Sequence, residues 1–165
     1  MDRGTTTMSR RILQWAVVVV LVVALVAPFA LRYYRKQEAR RVISRYAVLL
    51  SEGLENLTPE IVGEVASAEE VSRVGTYSTR LWGNNIRLES DLLELQILEV
   101  VSQEPTVTVK VKERWRYVER DRKSGAALGE EREETQLLDY TLVRANGKLI
   151  VYRSDLLPVP EGSTN

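Results

Sequence analysis

The side chains that could carry chemistry in this chain are carboxylates, amines and hydroxyls, because its 165 residues include no cysteine and no histidine. Thiolate nucleophiles, disulfides and the most common general base and metal ligand are therefore excluded. The sequence also contains no glycine-rich phosphate loop, metal-ligand cluster or nucleophile elbow. We accordingly predict no metal and no cofactor, and we do not expect an enzyme.

Two acidic residues nevertheless interrupt rows of alternating apolar residues. Glu113 lies in the row 107–117, and Asp139 lies in the row 137–143. If both carboxylates faced the concave side of a sheet, burial would raise their pKa values and could make one a general base. The alternative, which we favour, is that Glu113 lies where its strand bends or leaves the core and that Asp139 pairs with a nearby arginine. The candidate cavity residues are Glu113, Trp115, Tyr117, Asp139, Tyr140 and Tyr152.

The strand that carries Glu113 has basic residues on its opposite face. This basic stripe consists of Lys110, Lys112, Arg114 and Arg116. It could bind acidic lipid headgroups, nucleic acid or an acidic partner, but acidic residues of the next strand could neutralise it. Those acidic residues are Glu131, Glu133 and Glu134. The chain has 23 basic and 23 acidic residues, which argues against nucleic-acid binding, so we predict a neutralised stripe and no nucleic-acid partner.

Three helices and then four strands are predicted to position these residues. Apolar spacings of three and four predict helices over residues 33–57, 59–66 and 68–82. Thr58, followed by Pro59, is typical of a helix start, and Ser67 with Glu70 has the spacing of a capping box.

The strands follow from a change of period. Alternation of period two predicts strands over 93–97, 106–120, 133–144 and 148–156, and Asn146–Gly147 is typical of a two-residue hairpin turn. Helices that precede strands predict an α+β domain, with three helices packed on a curved four-stranded antiparallel sheet.

The N-terminal part contains an apolar run, Ile12–Leu31, of about 20 residues without a charge. A signal peptide normally has a shorter apolar run and a small-x-small cleavage site. We therefore predict an uncleaved transmembrane helix whose partner is the lipid bilayer. The predicted organisation is a short tail (1–11), the transmembrane helix (12–31), a soluble α+β domain (32–157) and a disordered tail (158–165).

Basic residues flank this predicted anchor on both sides. Those that follow it are predicted headgroup contacts: Arg32, Arg35, Lys36, Arg40 and Arg41. Their excess over Arg3, Arg10 and Arg11 mildly favours a cytoplasmic C-terminal side. The short N-terminal tail is equally typical of a signal-anchor whose N-terminus stays inside, so the flanking charges leave the topology open.

Three stretches, 109–117, 139–144 and 146–151, resemble the nuclear-transport-factor-2-like (cystatin-like) superfamily, with Leu149 in place of the usual tryptophan. They are similar to its membrane-anchored branch, which includes IMS-type domains of plastid division proteins and scaffold subunits of type IV secretion and conjugation. The resemblance spans residues 33–156 and implies a cone-shaped domain in which a bent sheet wraps around a long helix. Ketosteroid isomerases, enzymes of this superfamily, use a carboxylate and a tyrosine in the cavity. Anchored bacterial relatives mostly export the domain, so the resemblance implies an extracytoplasmic location.

The sequence therefore predicts a single-pass membrane protein with a non-catalytic scaffold or protein-interaction domain, possessing a protein partner or forming a homo-oligomer. The alternative is a small apolar ligand binder or an isomerase-like enzyme that uses Glu113 or Asp139.

Overall fold

The fold is that of a computed structural model, which describes the backbone of residues 5–158 and the side chains of Trp15 and residues 20–158. Residues 1–4 of the predicted N-terminal tail and residues 159–165 of the predicted C-terminal tail lie outside the described residues. The chain divides into two structural units, Met1–Gln37 and Glu38–Asn165.

The first unit is helical. Helix α1, Thr5–Asn56, begins in this unit and ends in the second. Within the part of the chain that the structure describes, no helix combines the length and apolar character needed to cross a membrane. The predicted anchor, Ile12–Leu31, lies partly outside that part, since the side chains of residues 12–14 and 16–19 are not described.

Helix α1 corrects the prediction of separate helices over 12–31 and 33–57. The two are one helix, because no glycine or proline separates Leu31 from Tyr33. Helix α1 ends where Leu57 adopts a positive φ of 56°, and the Thr58 N–H then donates to the Gly53 carbonyl oxygen at 2.8 Å.

The second predicted helix is a 3-10 helix, Pro59–Glu64, and Thr58 makes no side-chain capping bond to it. A segment of this length seldom sustains an α-helix, and short connectors of this kind commonly adopt 3-10 geometry.

Helix α2, Ala68–Gly83, begins as predicted, with Ser67 as its N-cap. The Glu70 N–H donates to Ser67 Oγ at 3.2 Å. The second bond of a capping box is absent, because the Ser67 N–H donates to the Val151 carbonyl oxygen instead. The Glu70 carboxylate is therefore free to point into the core.

Four antiparallel strands form a meander in the order β1-β2-β3-β4. Their bounds are β1 Ile86–Gln103, β2 Thr106–Asp121, β3 Arg132–Ala145 and β4 Lys148–Leu157. The predicted Asn146–Gly147 turn is confirmed, and both residues have the positive φ (51° and 78°) that this turn requires. Strand β1 is much longer than predicted, because register shifts at Leu92/Glu94 and Ile97/Glu99 interrupt its alternation.

The core lies between the helices and one face of the sheet. Its most deeply buried residues come from every layer: Ala39, Ile43, Tyr46, Val62, Val109, Val111, Leu142 and Val151. The α+β class and the four-stranded antiparallel sheet are thereby confirmed. Because the helices cover the core face of β2 and β3, alternate residues of these two strands are enclosed.

Candidate functional site

A cavity of about 390 Å³ lies between α1, α2 and the core face of the sheet. Five aromatic side chains line it: Tyr46, Tyr77, Trp115, Tyr117 and Tyr140. Polar side chains also reach it, including Arg73, Glu113, Arg132, Glu134 and Gln136. A mostly apolar recess of this size with a few convergent polar groups has the properties of a small-molecule site.

Glu113 is the carboxylate on the cavity wall. Alternation along β2 places it on the core face with Val109 and Val111, and only 1% of it is exposed. Tyr140 Oη donates to Glu113 Oε1 at 2.8 Å, and Trp115 Nε1 donates to Oε2 at 2.7 Å. Burial raises the pKa of Glu113, and these two hydrogen bonds oppose the rise. Of the two interpretations of Glu113, a bend of the strand or its departure from the core, the departure is wrong, since Glu113 is buried.

Asp139 does not share this cavity. It lies opposite Lys110 of β2 and Asp155 of β4, whereas its neighbour Tyr140 faces the core. The hypothesis of two carboxylates in one cavity is therefore wrong, because the register puts Glu113 and Asp139 on opposite faces of the sheet. Nor is Asp139 paired as predicted, since its buried Oδ1 has no hydrogen-bond partner among the described residues.

Tyr152 also lies outside the cavity lining, and it is 40% exposed. A register shift between Thr141 and Leu142 leaves Tyr152 without a facing residue on β3. This bulge changes the alternation of β4, so that Ser154 faces the core after Val151. Of the candidate cavity residues, Trp115, Tyr117 and Tyr140 lie in the cavity wall with Glu113, and Tyr152 does not.

A second buried carboxylate, Glu70, was missed by the sequence interpretation. Its Oε1 accepts hydrogen bonds from Tyr46, from Ser154 Oγ at 3.0 Å and from Arg73 at 2.7 Å. The pKa of Tyr46 is raised mainly by burial and, to a lesser extent, by the negative charge of the nearby Glu70. One sequence signal could have indicated its burial, since Glu70, Val74 and Leu81 recur on one helix face. The assignment of Glu70 to a capping box led us to overlook this signal.

The two carboxylate clusters meet through a pair of rings. Tyr46 from α1 and Tyr140 from β3 pack edge to face, with ring centroids 6.0 Å apart. Farther along β2, Trp115 and Tyr117 are stacked, with centroids 6.1 Å apart. Such aromatic pairs add to the packing energy of the rings that line the cavity.

Two residues of the basic stripe on the outer face, Arg114 and Arg116, pair with acidic residues that were predicted to neutralise it. Arg114 contacts Glu133 at 3.1 Å and Arg116 contacts Glu131 at 3.6 Å. Acidic residues of β1 add further pairs that the sequence interpretation missed: Lys110–Glu99, Arg114–Glu94 and Arg116–Asp91. Glu134 pairs instead with Arg132, at 3.3 Å. These pairs are largely solvated, so each adds little to stability.

The predicted headgroup residues follow one another along α1. Arg32, Lys36, Arg40 and Arg41 are exposed, and their contact with lipid stays a prediction. Among the residues that the structure describes, no three acidic side chains are grouped so that they could hold a metal ion.

No protein-family model matches the chain, and no curated protein matches it. Several solved structures are similar to the chain. The intermembrane space region of the chloroplast protein ARC6 is similar with a TM-score of 0.64 at 12% identity, over 74% of this chain and 96% of that one. A conserved protein from Planctomyces limnophilus gives 0.53 at 13% identity, over 77% and 99%.

A periplasmic fragment of TraM is similar as well, with a TM-score of 0.50 at 9% identity over 73% of this chain and 96% of that fragment. The predicted nuclear-transport-factor-2-like (cystatin-like) fold is thereby confirmed. At such identities the likeness extends to the fold alone.

Replacing Glu113 with glutamine is expected to change how stability depends on pH. The raised pKa means that the folded chain binds more protons than the unfolded chain between the ordinary value of 4.5 and the raised value. The free energy of unfolding of the wild type therefore falls, relative to Glu113→Gln, as pH rises through this window. Urea denaturation of both proteins across this range measures the difference.

Glu131→Gln, on the outer face, controls for the removal of one negative charge. A constant difference in stability between wild type and Glu113→Gln at all pH values would contradict the effect of burial on Glu113.

Proposed function

We propose that the chain is a non-catalytic, single-pass membrane-anchored module that binds a protein partner at the extracytoplasmic surface of a membrane. Helix α1 is the observation that carries the proposal. It contains both the apolar run Ile12–Leu31 and the core residues Ala39, Ile43 and Tyr46.

Exposure of the apolar run supports an anchor. Every described side chain from residue 20 to residue 31 is exposed, and the large ones include Leu25 at 69% and Phe29 at 72%. A contiguous apolar surface of this kind is unfavourable in water and favourable in lipid. The basic residues that follow, from Arg32 to Arg41, would then meet anionic headgroups, at about 1 kcal/mol for each residue near the surface.

The similar structures support the proposed extracytoplasmic location, and the composition of the chain supports a binding role. Two of them are described as an intermembrane space region and a periplasmic fragment, which are compartments outside the cytoplasm or stroma. The absence of histidine and cysteine from the whole sequence also favours a binding role over catalysis.

Membrane fractionation tests the anchor. We expect the full-length chain to sediment with membranes and to resist extraction with alkaline carbonate. The double substitution Val22→Asp with Leu25→Asp should release it, because two acidic side chains in the apolar run cost about 5 kcal/mol of insertion free energy. The matched control, Val22→Leu with Leu25→Val, keeps the apolar character and should remain in the membrane. Extraction of the wild type by carbonate would contradict the anchor.

Protease accessibility tests the topology. In spheroplasts of a bacterial host, external protease should digest the C-terminal domain without detergent. Protection of the domain until detergent is added would place it in the cytoplasm and contradict the proposed location.

Crosslinking in intact membranes, followed by purification, is expected to recover a partner protein or a second copy of the chain.

A second candidate function is small-ligand binding, and the cavity favours it. The space of about 390 Å³ and the buried Glu113 support this alternative, whereas Asp139 on the opposite face does not contribute to it.

A further inference from the structure

We propose that the cavity binds a small organic ammonium ion, with Glu113 as the counter-ion and the surrounding aromatic rings as the walls of the site. This inference rests on the second candidate function, ligand binding in the cavity, and specifies the chemical class of the ligand. It does not depend on the membrane anchor or on a protein partner.

The walls have the chemistry that recognises ammonium groups. Tyr46, Tyr77, Trp115, Tyr117 and Tyr140 approach the cavity from α1, α2, β2 and β3. The faces of tyrosine and tryptophan rings attract cations, most strongly where water is excluded. At the mouth this attraction already operates, because the Arg132 guanidinium lies 5.9 Å from the centroid of the Tyr117 ring.

The charges around the cavity leave Glu113 as the carboxylate that a ligand would neutralise. Arg73 is paired with Glu70, and Arg132 is paired with Glu119 and Glu134. By contrast, the hydrogen-bond donors to Glu113 in the described structure are the neutral Tyr140 and Trp115. A buried carboxylate without a cationic partner is costly. An ammonium group would provide the positive charge that the described residues do not place next to Glu113.

The geometry leaves Glu113 able to accept further bonds. Each of its oxygens accepts one hydrogen bond from the protein, and a carboxylate offers about four acceptor positions in all. The cavity volume of about 390 Å³ lies within the usual range for small ligands. A compact organic cation therefore fits the cavity, and because Glu113 is only 1% exposed, its contact with the carboxylate requires the covering Tyr140 and Trp115 side chains to shift.

The test compares cations with their neutral isosteres. Full-length protein in neutral detergent is titrated with choline and with 3,3-dimethylbutan-1-ol, which replaces the ammonium nitrogen by carbon, and binding is followed by calorimetry. A second pair, butylammonium and butan-1-ol, represents a primary amine such as a lysine side chain. All samples contain equal concentrations of chloride salt, so that ionic strength is constant.

We expect at least one cation to bind about tenfold more tightly than its neutral isostere, as a desolvated cation–π contact plus a counter-ion implies. The stronger of the two cations identifies a quaternary or a primary ammonium ligand. Glu113→Gln should abolish the preference for the cation, while the matched variant Glu131→Gln, which removes one negative charge from the outer face of the sheet, should keep it.

Equal binding of cation and isostere by the wild type would overturn the ammonium proposal while leaving the cavity a ligand site. Binding of none of the four probes would overturn both. The comparison within the wild type decides the outcome even if Glu113→Gln does not fold. Neither result bears on membrane fractionation, so failure of the anchored-module proposal is measured separately.

Discussion

Replacing Tyr46 with alanine is expected to lower the free energy of unfolding by about 4 kcal/mol, within the range for truncating a buried aromatic residue. Tyr46 is 1% exposed and packs against Tyr140, with its hydroxyl bonded to Glu70. Truncation removes the ring that joins α1 to the sheet and leaves Glu70 with one donor fewer. Urea denaturation of the full-length protein in detergent, followed by tryptophan fluorescence, measures the loss.

Two variants separate the ring from its hydroxyl. Tyr46→Phe keeps the ring and should cost about 1–2 kcal/mol, the usual cost of a lost buried hydrogen bond. Tyr77→Ala removes a tyrosine that is 41% exposed and should cost clearly less than Tyr46→Ala. Equal losses for Tyr46→Ala and Tyr77→Ala would show that Tyr46 has no central place in the core.

The second large effect is expected for Glu70→Ala, which should cost about 3 kcal/mol because it leaves buried donors without an acceptor. The Tyr46 hydroxyl and Ser154 Oγ both donate to Glu70, and both residues are buried. Arg73 is 49% exposed, so it can be solvated again, which keeps the cost at the lower end for a broken buried pair.

Glu69→Ala is the matched control, since Glu69 is the preceding residue of α2 and is exposed. It should change stability by less than about 1 kcal/mol. A double-mutant cycle of Tyr46→Phe with Glu70→Gln should give a coupling energy of about 1 kcal/mol. Strict additivity of the two substitutions would contradict a direct bond between Tyr46 and Glu70.

The features that could be predicted from sequence are those set by neighbouring residues. The Ser67 cap and the Asn146–Gly147 turn depend on a few adjacent side chains and backbone angles. Strict alternation along 107–117 likewise placed Glu113 in an apolar row, and the structure has it in the core. The order of helices and strands, and with it the α+β class, followed from the change of hydrophobic period.

The candidate site was predicted less well, because it depends on register. Glu113 and Asp139 look alike in sequence, yet they lie on opposite faces of the sheet. The bulge in β4 moved Ser154 to the core face and left Tyr152 exposed. Neither outcome has a local signal, since each depends on how two strands are aligned.

By itself the sequence determined the apolar run, the helical and strand periods, the turn residues and the absence of histidine and cysteine, because composition and local spacing are properties of the chain alone. Only the tertiary structure decided which carboxylates meet which donors. Glu113 meets Tyr140 and Trp115, and Glu70 meets Tyr46 and Ser154. Several of these partners are far apart in the chain and become neighbours only after α1 and α2 pack on the sheet. The cavity, and a Glu113 carboxylate bonded only to neutral donors among the described residues, are therefore products of packing and register.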